Sequence, residues 1–181
     1  MAIHRRLAGG VLSALTLALL VTACGGDKPE TLLASARDYL ARPASAVEPA
    51  QRDALATEVV AVIEQPDFAA IFGPGSRAEV PIVATLRQGD GRTRVLSGQI
   101  DRLVVRDGEV WVVDFKSNRP APMLAAQVSA QYLGQLEAYR RALATLYADK
   151  EIRCFLLWTD GPRLMEIPGA MLDAHGTNPT P

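Results

Sequence analysis

The sequence predicts a mixed α/β (α+β) fold, with helices leading into an antiparallel meander and a long helix leading out of it. Three observations carry this expectation. Apolar residues recur at helical spacing through the first third of the chain. From Ala78 the period changes to alternation. A long helical pattern, 125–147, then separates three strand-like runs from two more. With 181 residues, 49% of them hydrophobic and 22% charged, the chain suits one ordinary domain plus appendages and can bury a core. A net charge of −1 gives no overall bias toward nucleic acid, so such a partner must meet a local patch. Two cysteines, Cys24 and Cys154, make neither a disulfide framework nor a zinc set, and Cys154 in "IRCFLLW" reads as a small buried strand residue.

Residues 1–24 differ in kind from the rest. Arg5 and Arg6 precede an apolar run from Leu7 to Val21, and small residues precede Cys24. This is the layout of a secretory signal, and "VTAC" resembles a bacterial lipobox in which Cys24 would carry a lipid anchor. The run is too short for a comfortable transmembrane helix. An apolar helix at an arbitrary gene start is the alternative.

Residues 25–30 read as a polar linker and 31–76 as N-terminal helices. "TLLASARDYLARP" spaces Leu32, Leu33, Ala36, Tyr39 and Leu40 helically and stops at Pro43. "EPAQRDALATEVVAVIEQPDFAAIF" places Leu55, Val59, Val62 and Ile63 on one stripe, breaks at Pro66, and is ended by "GPGS". Residues 77–168 form the core. "AEVPIVATL" is a strand whose Pro81 marks an edge or bulge, "QGDGRT" a turn, and "RVLSGQIDRLVVR" and "EVWVVDFKS" strands joined at "DG". After "NRPAP" come the helix of 125–147, the strand "EIRCFLLWT", the turn "DGPR" and the strand "LMEIP". Residues 169–181 read as a loose tail.

The Asp107-Gly108 turn fixes a register. With those two residues as the loop, Val105 faces Val110, Leu103 faces Val112 and Asp101 faces Asp114. One face of the hairpin is then apolar except at the end far from the turn, where two carboxylates oppose each other and Lys116 follows. Like charges directly opposed destabilise a sheet. A divalent cation between them reverses that sign, and hard oxygen ligands with water are what Mg²⁺ prefers. The bland alternative is a pair of solvent-facing aspartates with Lys116 as their ion-pair partner.

Three motifs stand in order: G-x-I-D at Gly98–Asp101, D-x-K at Asp114–Lys116 and Q-x-x-x-Y at Gln135–Tyr139. In this order and spacing the chain resembles the PD-(D/E)xK nuclease superfamily, in its RecB-like branch. It is similar in particular to the C-terminal nuclease domains of the AddA family, over roughly Leu32 to Pro168. The resemblance implies a restriction-endonuclease-like core: a central mixed sheet carrying an antiparallel hairpin, with flanking helices. It also implies a Mg²⁺-dependent (or Mn²⁺-dependent) deoxyribonuclease related to double-strand-break end processing and recombinational repair. Asp101 and Asp114 would be metal ligands, Lys116 the catalytic lysine, and Gln135 and Tyr139 would flank the site from the helix. Glu79 would be an accessory acid. Arg102, Ser117, Asn118, Arg119 and Arg140 are the expected DNA contacts. The implied substrate is single-stranded DNA ends, the implied partners an AddB-like subunit and a separate helicase motor, and the implied location cytoplasmic. A cell-envelope lipoprotein anchored through Cys24 is the alternative location.

Two departures qualify the resemblance. RecB-like nucleases carry a histidine on an early helix. Here "IHRRL" offers His4, but an apolar insertion follows it, so His4 is either a displaced remnant or that ligand is absent. No G-x-x-x-x-G-K-[ST] signature occurs, so the chain carries no P-loop motor. The competing functions are a non-catalytic or degenerate module that keeps the fold and only binds DNA or a partner, and an envelope lipoprotein with a recruited nuclease-like domain.

Overall fold

The computed structural model describes residues 29–45, 47–87 and 89–176. The signal-like segment, His4 and Cys24 lie outside them. The chain divides into two compact units, one up to Ala78 and one from Glu79.

In the first unit, α1 (Pro29–Ala41) and α2 (Pro49–Ile63) are joined through a 3₁₀ turn at Pro43–Ser45. The spacing expected in α1 holds, with Leu32, Ala36 and Leu40 packing against α2. There the buried contacts are Ala56, Val59 and Val60, while Leu55 and Ile63 of the expected stripe are only partly buried and Val62 is buried outside this cluster. The Ser45 hydroxyl donates to the Leu40 carbonyl at 2.8 Å, satisfying an acceptor that the end of α1 leaves open. Pro66 ends the second helical stretch as expected. A 3₁₀ turn at Pro66–Phe68 and the short α3 (Ala69–Phe72) follow it.

The remaining elements are β1 (Ser76–Arg87), β2 (Thr93–Val105), β3 (Glu109–Lys116), α4 (Ala130–Leu146), β4 (Glu151–Trp158), β5 (Arg163–Ile167) and α5 (Gly169–Gly176). The strands form one sheet in the order β1-β2-β3-β4-β5, so Pro81 does lie on an edge strand, where its missing N–H does no harm. β3 pairs antiparallel with β2 and parallel with β4, while β4 and β5 are antiparallel. A parallel pair needs a crossover, and α4 supplies it. Leu103, Val110, Val112, Cys154, Leu156 and Ile167 of the sheet bury against Leu133, Leu136, Tyr139 and Leu143 of α4. Cys154 is buried as expected, and burial pushes its thiol up to about 12.

The hairpin register is the expected one, with Leu103 opposite Val112 and Val105 opposite Val110. The turn differs in detail. Gly108 takes φ 79° and Asp107 stays out of the left-handed region, so one residue, not two, needs positive φ.

Two expectations are corrected. The helix expected from Ala125 begins at Ala130. The Gln127 side-chain oxygen accepts the N–H groups of Met123 and Leu124 at 2.9 and 3.0 Å, and Val128 is extended and buried, which delays the helix to the Ser129 cap position. Of the tail expected over 169–181, Gly169–Gly176 instead forms α5, whose Leu172 is 1% exposed within the core, and 177–181 lie outside the described residues. A helix of eight residues with glycine at both ends offers too few periods to be read from sequence.

Candidate active site

The site lies where the β2–β3 ladder ends. The pairing runs out to Arg102 opposite Val113, and one further step along the same register sets Asp101 opposite Asp114. There the side chain replaces the backbone: the Phe115 N–H donates to Asp101 Oδ2 at 2.7 Å. Asp114 is 3% exposed and forms an ion pair with Lys116, two residues along the same face.

α4 contributes the other half. Gln135 and Tyr139, one helical turn apart, face the sheet together. Gln135 Nε2 donates to Asp114 Oδ1 at 3.1 Å and to the Tyr139 hydroxyl at 3.3 Å, and its Oε1 lies 3.5 Å from Lys116 Nζ. Tyr139, buried, donates its own hydroxyl to the Gln99 carbonyl at 2.9 Å. A single chain of interactions thus joins Lys116, Asp114, Gln135, Tyr139 and the backbone of β2. The three motifs expected to cooperate are in one place.

The first motif's glycine has a steric reason. A Cβ on Gly98 would lie 2.8 Å from the Tyr139 hydroxyl and 3.0 Å from its Cε1, closer than side-chain carbons come. The absence of a side chain at Gly98 lets the Tyr139 hydroxyl and ring edge come this close to β2.

Burial dominates the electrostatics. Asp101 is pushed up to about 7, first by burial and then by the charge of Asp114, against the Phe115 N–H and Lys116. Asp114 is also raised by burial, opposed by Lys116. Glu79 is raised by burial, opposed by the Arg102 charge and by Gln99, whose side-chain amide donates to its carboxylate. The backbone of Glu79 has φ 51°, a left-handed conformation that non-glycine residues rarely hold.

The expected DNA contacts fare unevenly. Arg102 is 3% exposed and faces Glu79, and burial lowers it to about 10, so it offers no surface to a phosphate. Arg140 is committed to Glu137 at 2.8 Å and to Asp173 of α5. Ser117 is half-buried, while Asn118 and Arg119 are exposed where the chain leaves β3. Among the described residues no three His, Cys, Asp or Glu side chains gather as a metal cluster. The charge of Glu79 nevertheless reaches Asp101, helping to raise it. Sequence reading also missed Tyr132, Gln99 and the exposed Arg87, Arg92 and Arg94 at the β1–β2 tip. The tip arginines were legible as a basic cluster around a glycine turn. Tyr132 was legible only as a residue three before Gln135.

The donor set at the ladder's end suits a hard divalent cation. Two opposed carboxylates, both raised by burial and Asp101 also by its neighbour's charge, share a single ammonium. Added positive charge between them would relieve both effects.

A five-stranded mixed sheet whose central hairpin ends in opposed aspartates and a lysine, covered by a helix bearing glutamine and tyrosine, is the core of a PD-(D/E)xK nuclease fold. The model of the PD-(D/E)XK nuclease superfamily matches residues 12–169, and the chain belongs to that superfamily, whose members are in general nucleases. The match takes in part of the apolar run that has the layout of a signal. No curated protein matches the sequence. Among solved structures, the one titled "Crystal structure of SSO0001" is similar at a TM-score of 0.39 and 14% identity, over 91% of this chain and 83% of that one.

Proposed function

We propose that the chain is a metal-dependent deoxyribonuclease of the RecB-like, AddA type, using Mg²⁺ or Mn²⁺ to hydrolyse phosphodiester bonds in single-stranded DNA ends. The observation that carries this reading is the placement of Asp101, Asp114, Lys116, Gln135 and Tyr139 in one network at the end of the β2–β3 ladder. Asp101 and Asp114 would hold the cation, which supplies charge stabilisation at a phosphate oxygen and a more acidic water. The chain's own groups do the rest. Lys116, next to Asp114, orients the attacking water or meets the charge that develops on the phosphate. Gln135 keeps Asp114 and Lys116 in register, and Tyr139 keeps Gln135 in place from β2.

DNA would be gripped by exposed cations. Arg119 and the tip arginines Arg87, Arg92 and Arg94 form local positive charge on a chain of net charge −1, partly offset by Asp90, which lies 3.6 Å from Arg92. We place the protein in the cytoplasm, in double-strand-break end processing, beside an AddB-like subunit and a separate helicase motor. The AddA resemblance supports that setting. The extension of the family match into the apolar run supports reading that segment as part of the nuclease chain.

The test is cleavage of end-labelled single-stranded DNA with Mg²⁺ by the full chain and by Asp114→Ala. Cleavage by the parent and a loss of at least about 100-fold in the variant is the expected result. No cleavage by a folded parent with either Mg²⁺ or Mn²⁺ would turn the reading toward a module that only binds.

A further inference from the structure

Lys116 has three partners. Its ammonium pairs with Asp114, lies 3.5 Å from Gln135 Oε1, and sits 4.1 Å from the centroid of the Tyr132 ring, over its face. Tyr132 belongs to none of the three motifs. It stands in the first turn of α4, three residues before Gln135 and seven before Tyr139, so these three side chains share one stripe of the helix.

The Tyr132 ring is held at both ends. Its hydroxyl donates to Asn118 Oδ1 at 2.8 Å, and its ring lies 6.3 Å from that of Trp158, the β4 residue paired with Lys116. Asn118 is the second residue after β3 ends, so Tyr132 touches the lysine with its face and the chain that leaves the lysine with its hydroxyl.

The three partners differ in charge. A cation taken up by Asp114 competes with the ammonium for the same carboxylate and repels it. The neutral partners, the Gln135 oxygen and the Tyr132 face, do not lose their attraction when this happens. An aromatic face attracts an ammonium through its quadrupole and, unlike a carboxylate, leaves its charge uncancelled for a phosphate.

We infer that Tyr132 is the positioning residue of Lys116: its ring is the seat that holds the ammonium when Asp114 is engaged elsewhere, and its hydroxyl clamps the exit of β3 through Asn118. This rests on the nuclease reading for what Lys116 does, and on geometry alone for where Lys116 is held.

The test uses the full chain and has two independent readouts. In the first, NMR follows the Lys116 ε-methylene protons, assigned by their disappearance in Lys116→Arg, with and without Mg²⁺. Ring current should move them upfield in the parent, with cross-peaks to the Tyr132 ring protons. The shift should persist when Mg²⁺ is added, remain in Tyr132→Phe and vanish in Tyr132→Leu. An ordinary lysine shift in the parent, or loss of the shift on adding Mg²⁺, overturns the inference without any Tyr132 variant having to fold. In the second, single-stranded DNA cleavage should fall at least about tenfold in kcat for Tyr132→Leu with KM little changed, and stay within about threefold for Tyr132→Phe. A folded Tyr132→Leu that cleaves at the parent's rate also overturns it. A parent that does not cleave removes the nuclease reading, and the ring-current result then decides the seat by itself.

Discussion

Gly98 and Tyr139 come from different elements and compete for the same space, and the outcome decides where Gln135 points. Substituting Gly98→Ala would force the Tyr139 ring away from β2, since the added carbon would meet its hydroxyl at 2.8 Å. Overpacking of this kind destabilises by about 1–3 kcal/mol. Thermal unfolding should register that loss, and DNA cleavage should fall further than stability alone explains because Gln135 loses its support. Tyr139→Phe separates the effects. It keeps the ring against Gly98 but gives up the bond to the Gln99 carbonyl, a loss of about 1 kcal/mol, with a smaller fall in cleavage. Cleavage unchanged in Gly98→Ala would show that the tyrosine is not part of the site's support.

Among the elements, α5 and the β1–β2 tip make separate predictions. Leu172 of α5 is fully buried, and Arg140 of α4 pairs with Asp173 beside it. Leu172→Ala should cost about 2–5 kcal/mol, read by urea denaturation, although the residue is far along the chain from every motif. At the tip, replacing Arg87, Arg92 and Arg94 with glutamine should leave folding intact and weaken single-stranded DNA binding. The slope of log affinity against log salt should flatten by about 2, at about 0.7 for each phosphate no longer neutralised. An unchanged slope would place the DNA elsewhere. The sequence made the strands and their register legible because one glycine turn fixes the pairing for every residue that follows, and that pairing alone sets Asp101 against Asp114. It made Gln135 and Tyr139 legible because helical spacing is rigid. It hid the start of α4, where a side chain, Gln127, competes with helical bonds. It also hid the burial of Arg102, whose partner Glu79 lies on another strand, and the commitment of Arg140 to a helix that was not foreseen.

For the whole molecule, the two opposed carboxylates make stability depend on pH and on divalent cations. Asp101 is raised to about 7 in the folded chain, above its ordinary value of 3.8 in the unfolded one. Between those values the folded state holds a proton that the unfolded state releases. The contribution of Asp101 to stability without metal is therefore fully present below about pH 4, declines as pH rises, and is lost above about 7. Each pH unit within that window costs up to about 1.4 kcal/mol. Denaturation in EDTA should show a protein more stable at pH 5 than at pH 8. Added Mg²⁺ should recover stability at pH 8, and Asp101→Asn should flatten the pH dependence. Equal stability at pH 5 and pH 8 in EDTA would mean that the carboxylates are not strained against each other.

The parallel pairing of β3 with β4 through α4 also governs the order in which the groups of the candidate site come together during synthesis. Asp101, Asp114 and Lys116 leave the ribosome together on one local hairpin, which can close by itself within microseconds. Gln135 and Tyr139 follow on a helix that has no complete sheet to lie on until β4 has crossed over and docked, a non-local and slower event. A nascent chain therefore holds its acids and its lysine early but has nothing to aim them. On the nuclease reading proposed above, the site is therefore complete only once the whole sheet has closed.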